Sequence, residues 1–290
     1  MAGLHDLVTR LRATGSGARR QWVNRLMYEV IYALPPVARG GFFNGGYHPP
    51  APGAVAAPGL EAAVEQAAMY DFALRALPLE VAPEAASRPV ASLLDIGCGA
   101  GGGLLYAAAA FPGARLAGLD TSGSAIRHAR RWLRALGPEL QRGSADRLPF
   151  SPASFDRVVS IGTLNYVDHH ALMAEVARVL VPGGLLSLTG GSTDTPIGWT
   201  RQRLDRAAIR QGLVPRGFRE ITKPCFAAFL QQAPRNAALV ARLPWFLRGS
   251  AREWAVLPGT VRHAQYLEGR KREYAGVYEK PLLASGTAGA

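Results

Sequence analysis

A Rossmann-like α/β fold on a doubly wound, mostly parallel sheet is predicted by three observations. An apolar run, Leu93-Leu94-Asp95-Ile96, enters the glycine turn Gly97-Cys98-Gly99-Ala100-Gly101-Gly102-Gly103. A second apolar run, Ala114 to Leu119, closes on Asp120, 25 residues beyond Asp95. Two more runs follow, Phe155 to Ile161 and Leu185 to Leu188, each preceded by turn residues. Strand, glycine turn, helix and a second strand ending in an acid put a nucleotide-like ligand at the carboxyl edge of the sheet. There the small glycines let backbone N–H groups approach it.

Taken in order, residues 1–90 read as an N-terminal helical cap with a lid loop. Apolar residues at positions 22, 23, 26, 27, 30 and 31 form an amphipathic stripe beside Arg10, Arg12, Arg19, Arg20 and Arg25. This helix is expected to pack over the site with its arginines solvated; weak contact with anionic lipid or an acidic carrier protein is the alternative. Pro35-Pro36 and the prolines from 49 to 58 mark loops around Phe42-Phe43-Asn44-Gly45-Gly46-Tyr47, and residues 60–77 are helical in pattern.

Residues 91–192 form the core. Thr121 and Ser122 start a helix, Arg142 to Phe150 makes a turn, Ser154 to Ile161 is a buried fourth strand, and Val181 to Leu188 ends a helix and starts strand five. Residues 193–283 hold a lid and the last strands. A helix from about Ile197 to Gln211 leads into a proline-punctuated segment carrying Phe226, Phe229, Trp245 and Phe246. Glu253 to Leu257 and Arg272 to Lys280 alternate in period two and are expected to be the last two strands. Residues 284–290 form a disordered tail.

Composition bounds the function. At 290 residues and 48% apolar content the chain can hold one large α/β unit with appendages. Two distant cysteines, Cys98 and Cys225, supply neither a disulfide framework nor metal-ligand spacing, so no metal is expected. No apolar run is long enough for a span, and Asp6 and Arg10 interrupt any leader, so a soluble, cytoplasmic protein is expected. The net charge of +12 comes without a zinc-knuckle, RNA-motif or recognition-helix pattern, which argues against a nucleic-acid partner.

Gly97, Gly99 and Gly102 also fit a dinucleotide turn, and Asp95 decides between the two. A carboxylate two positions before the first glycine repels a pyrophosphate but suits a ligand bringing an α-ammonium and a sulfonium, as S-adenosylmethionine (SAM) does. Asp120 then accepts hydrogen bonds from the ribose hydroxyls. On these motifs residues 91–192 resemble the class I SAM-dependent methyltransferases. The resemblance implies seven strands with the last antiparallel, and a cofactor held by Asp95, Gly97, Gly99, Gly101, Asp120, Thr121, Ser144, Ala145, Asp146 and Ile161.

The flanks Phe42 to Tyr47, Leu243 to Leu247, Arg262, Tyr266 to Gly269 and Tyr274 resemble mycobacterial and actinobacterial lipid and natural-product O-methyltransferases of the phthiotriol dimycocerosate type. That implies a hydrophobic small-molecule acceptor, methylated on a hydroxyl, with Phe43, Tyr47, Trp199, Phe226 and Trp245 around it. An N- or C-methyltransferase, or a SAM-fold protein with other chemistry, is the alternative. Two departures stand out: Ser144 replaces the usual carboxylate near adenine, and Thr163-Leu164 stands where the lipid enzymes read Ser-His. An alcohol must lose a proton, and His169 after strand four is the first candidate base, ahead of His48, His170 and His263. Asn165 and Tyr166 are candidates for orienting the hydroxyl.

Overall fold

The computed structural model describes Glu29, Tyr32 and residues 44–50, 53–54 and 57–282, apart from the side chain of Phe246. Phe42 and Phe43, most of the arginine-bearing stripe and the 283–290 tail lie outside the described residues.

Seven strands form one sheet: β1 (Ser92–Ile96), β2 (Arg115–Asp120), β3 (Glu139–Arg142), β4 (Phe155–Ile161), β5 (Leu180–Thr193), β6 (Val214–Glu220) and β7 (Lys271–Glu279). Their order across the sheet is β3-β2-β1-β4-β5-β7-β6. β1 to β5 run parallel, and β7 is antiparallel to both β5 and β6. β1 is buried along its whole length, which is why it reads as a continuous apolar run.

Two apolar layers sandwich the sheet. On one face Leu93, Val159, Leu185, Ala275 and Val277 pack with α1 (Val64–Asp71), a π-helical turn (Phe72–Ala76), α2 (Leu77–Val81) and α4 (Gly102–Ala110). A short α3 (Pro83–Ala86) leads into β1. On the other face Leu94, Val158, Leu186, Tyr274 and Tyr278 pack with α6 (His169–Val179) and α7 (Ile197–Ile209). Ser122 caps α5 (Gly123–Trp132) by accepting from Ala125 N at 3.1 Å. Among the described residues, no helix is long and apolar enough to cross a membrane.

The expected strand at Glu253 to Leu257 is a correction. Glu253 and Trp254 end a helix, α9 (Trp245–Trp254), which follows α8 (Thr222–Ala241) and precedes α10 (Val261–Leu267). The Glu253 carboxylate accepts from the backbone N–H groups of Val261 and Arg262, so the alternation there reflects a helix end capping the next helix. The penultimate strand is β6, whose Pro215 and Gly217 disguise it as a loop. It is an edge strand and carries a register shift between those two residues, where a missing N–H is tolerated. The helical inserts α8, α9 and α10 therefore lie between β6 and β7.

Candidate active site

Because strand side chains alternate, residues two apart share a face. Asp95 follows Leu93, Asp120 follows Gly118, and Gly191 lies opposite Glu273 in the β5–β7 pairing. All four face the α1–α4 side, at the carboxyl ends of β1, β2 and β5 and at the matching start of β7.

The cofactor half is built around the first glycine turn. Gly97 N and Cys98 N donate to Leu119 O at 2.7 and 3.0 Å, tying the turn to the end of β2. Gly97, Gly99 and Gly101 have φ of +79°, +55° and +91°, a region that disfavours side chains. A Cβ on Gly97 would run into the Thr163 side chain and one on Gly99 into the Tyr32 hydroxyl. Asp120 accepts from Gly99 N at 2.9 Å and from Ser122 N at 2.8 Å, and its burial raises its pKa.

Asp95 is fully buried, and Tyr70 Oη donates to its Oδ2 at 3.0 Å. Its Oδ1 has no hydrogen-bond partner among the described residues. Burial lifts the carboxyl to about 7, with Asp120's charge adding to the rise and the Tyr70 hydrogen bond opposing it. A buried carboxylate oxygen left unpaired beside a glycine cradle fits a group that arrives with positive charge. SAM supplies that charge when bound, together with an electrophilic methyl group.

Sequence reasoning missed Glu29 and Tyr32. Glu29 accepts from Gly123 N at 2.6 Å, Ser124 N at 3.0 Å and Ser122 Oγ at 3.3 Å, at the start of α5. Those bonds overcome the upward push of burial and hold it at about 2. Tyr32 is buried against Ala100 and Ala125, and burial together with the charges of Asp120, Cys98 and Asp95 raises its pKa. The charged stripe gave these two residues no distinguishing signal.

Of the other expected cofactor residues, Ala145 and Ile161 are buried while Thr121, Ser144 and Asp146 are exposed. Gly143 N donates to Asp120 O at 3.0 Å, which brings the 143–147 turn to the end of β2.

Two aromatic pairs lie past β4, beside helices that pack on β7. Tyr47 stacks on Phe72 with centroids 4.4 Å apart. The loop carrying it reaches α8: Pro224 O accepts from His48 N at 3.1 Å, and Gly45 O from Gln232 Nε2 at 3.0 Å. Phe226 stacks on Tyr266 at 4.9 Å and meets His263 edge-on at 5.5 Å. Trp199 and Trp245, by contrast, are 72% and 77% exposed.

The loop after β4 holds Asn165, exposed, and Tyr166, half-buried, on a 3₁₀ turn (Leu164–Tyr166). His169 opens α6, its Nε2 3.0 Å from Leu164 O, and burial lowers its pKa. His48 is half-buried and His170 exposed.

Comparison with known proteins agrees with this geometry. The family described as "Methyltransferase domain" matches residues 94–188. The phthiotriol/phenolphthiotriol dimycocerosates methyltransferase of Mycobacterium leprae (strain TN) is 32% identical over 184 residues, which are 63% of this chain and 66% of that protein, just short of two thirds of its length. A fatty-acid O-methyltransferase of Mycolicibacterium smegmatis is 39% identical over 98 residues, 33% of this chain and 36% of that one. The geranyl diphosphate C-methyltransferase of Streptomyces coelicolor A3(2), solved with S-adenosyl-L-homocysteine, superposes with a TM-score of 0.62 at 18% identity, covering 90% of this chain and 97% of that one. Residues 94–188 thus match a methyltransferase domain, and the chain shares its fold with a solved methyltransferase that binds S-adenosyl-L-homocysteine.

Proposed function

We propose that this protein transfers the methyl group of SAM to a hydroxyl of a hydrophobic small molecule. The observation that carries the reading is the sharing of one sheet side by two unlike halves: Asp95 and Asp120 beside the glycine turn, and past β4 the stacked aromatic pairs Tyr47–Phe72 and Phe226–Tyr266. The first half suits a cationic nucleoside, the second a greasy acceptor. Asp120 is the proposed ribose ligand and Asp95 the partner of the cationic end. The loop at residues 44–50 and helices α8 and α10 exclude water over the acceptor.

The fatty-acid O-methyltransferase relative supports oxygen as the acceptor atom. Likeness to a C-methyltransferase of the same fold supports carbon as the second reading. Proximity and orientation supply much of the rate in either case, and an alcohol also needs a proton acceptor.

The test uses methyl-labelled SAM with long-chain alcohols, hydroxy fatty acids and alkylphenols, and the corresponding alkylamines as controls. Label located on a hydroxyl oxygen supports the reading. Label on nitrogen or carbon alone, or no transfer, refutes it.

A further inference from the structure

We propose that Glu273 takes the proton of the acceptor hydroxyl, with Tyr266 and Lys271 positioning its carboxylate; the assignment rests on the hydroxyl-acceptor reading above. Glu273 Oε1 accepts from Tyr266 Oη at 2.6 Å and pairs with Lys271 Nζ at 3.2 Å. Both neighbours hold the same oxygen. Oε2 has no hydrogen bond among the described residues, and it lies where a side chain at position 191 would be. The glycine there leaves the carboxylate free to lie across the end of β5.

The placement matches the chemistry. Glu273 shares its face with Asp95; its partner Gly191 lies on β5, two strand spacings from β1 and four residues beyond Ser187, which is in line with Asp95 through Val159, so the two positions are roughly 16 Å apart. That span accommodates the reacting end of the cofactor and the acceptor between the two carboxylates. Gly162, at the end of the intervening β4, has open space where its Cβ would be. Tyr266 is 6% exposed, and burial together with Glu273's charge raises its pKa well above the usual value, so it remains a protonated donor. The Lys271 and Glu273 side chains are 12% and 19% exposed, sheltered enough for their pairing to order the carboxylate.

His169, in contrast, has its Nε2 committed to Leu164 O. In the proposed step the hydroxyl oxygen forms its bond to the methyl carbon as the sulfur–methyl bond breaks. The hydroxyl proton passes to Glu273 Oε2, the sulfonium becomes a neutral thioether, and the carboxyl returns its proton to solvent after product leaves.

Two measurements test this on the full chain. In the first, dodecylammonium is titrated calorimetrically into the S-adenosylhomocysteine complex. It should bind the wild type and lose about tenfold or more in Glu273→Gln, the scale of a charged hydrogen bond, while Glu268→Gln binds as wild type does. Absence of binding to the wild type, or equal binding by Glu273→Gln, overturns the proposal without bearing on which atom is methylated.

In the second, an alcohol that the wild type methylates is turned over. Glu273→Gln should lower kcat by about 100-fold or more with S-adenosylhomocysteine affinity unchanged. Lys271→Met should lower kcat at similar KM, with rescue by Lys271→Arg. Gly191→Ala, whose methyl group first meets the flexible ends of Lys271 and Glu273, should fold normally and also lose turnover. Full kcat in Glu273→Gln alongside loss in His169→Ala assigns the proton to α6 and overturns the proposal. If no alcohol is methylated, the hydroxyl reading fails and the dodecylammonium titration alone decides where Glu273 faces.

Discussion

Asp95 is the residue whose chemistry is set most strongly by its surroundings. Its folded value of about 7 lies above the ordinary 3.8, so between these limits the folded chain holds a proton the unfolded chain has released. Stability from this group is therefore full below about 4 and falls as pH rises toward 7. A cationic ligand favours the ionised form, which gives SAM binding the opposite trend. Calorimetry should show affinity rising up to about pH 7, with each pH unit below that costing up to about tenfold. Asp95→Asn should weaken binding and flatten most of the slope; what remains belongs to Asp120, whose pKa burial also raises. A pH-independent affinity in the wild type would show that Asp95 does not meet the cation. Tyr70→Phe should destabilise the protein by about 1 to 3 kcal/mol, since it leaves a buried carboxylate without a donor it now has.

Among the elements, helix α6 is fixed at its start by Asp168, which accepts from His170 N at 2.7 Å and Ala171 N at 3.1 Å. Asp168→Ala should lower stability by about 1 kcal/mol in denaturant unfolding and leave S-adenosylhomocysteine affinity unchanged. A change in affinity without a change in stability would move this loop into the cofactor site. The contact of the 44–50 loop with α8 is sharper: a side chain on Gly45 would enter the Phe229 ring. Gly45→Val should therefore lower methyl transfer more than cofactor affinity, and equal activity would remove the 44–50 loop from the roof.

What could be read from the chain follows the same physics. β1 and β4 were legible because their burial writes apolar runs into the sequence. β6 was not, because an edge strand tolerates Pro215 and Gly217. Asp95 and Asp120 were legible because a local turn fixes them. The Tyr266–Glu273–Lys271 contact joins α10 to β7 around a turn, and Tyr70 meets an acid 25 residues away, so no spacing rule announces either.

At the scale of the whole molecule, the strand order sets Asp95 and Asp120 on β1 and β2 and Glu273 on β7 beside β5, with β4 between; these are the proposed cofactor and acceptor halves. Segments from both ends of the chain close over this edge. Glu29 and Tyr32 meet the glycine turn and the start of α5, and residues 44–50 meet α8. The N-terminal region is thus proposed to serve both halves, and its loss should weaken cofactor binding as well as turnover. The central claim is that the glycine turn between Asp95 and Asp120 holds SAM rather than a dinucleotide. Parallel calorimetric titrations of S-adenosylhomocysteine and NADPH into the full chain test it directly. Saturable S-adenosylhomocysteine binding, weakened by about 1.5 to 3 kcal/mol in Asp120→Ala, with no heat from NADPH, is the predicted result. Binding of NADPH and none of S-adenosylhomocysteine would contradict it.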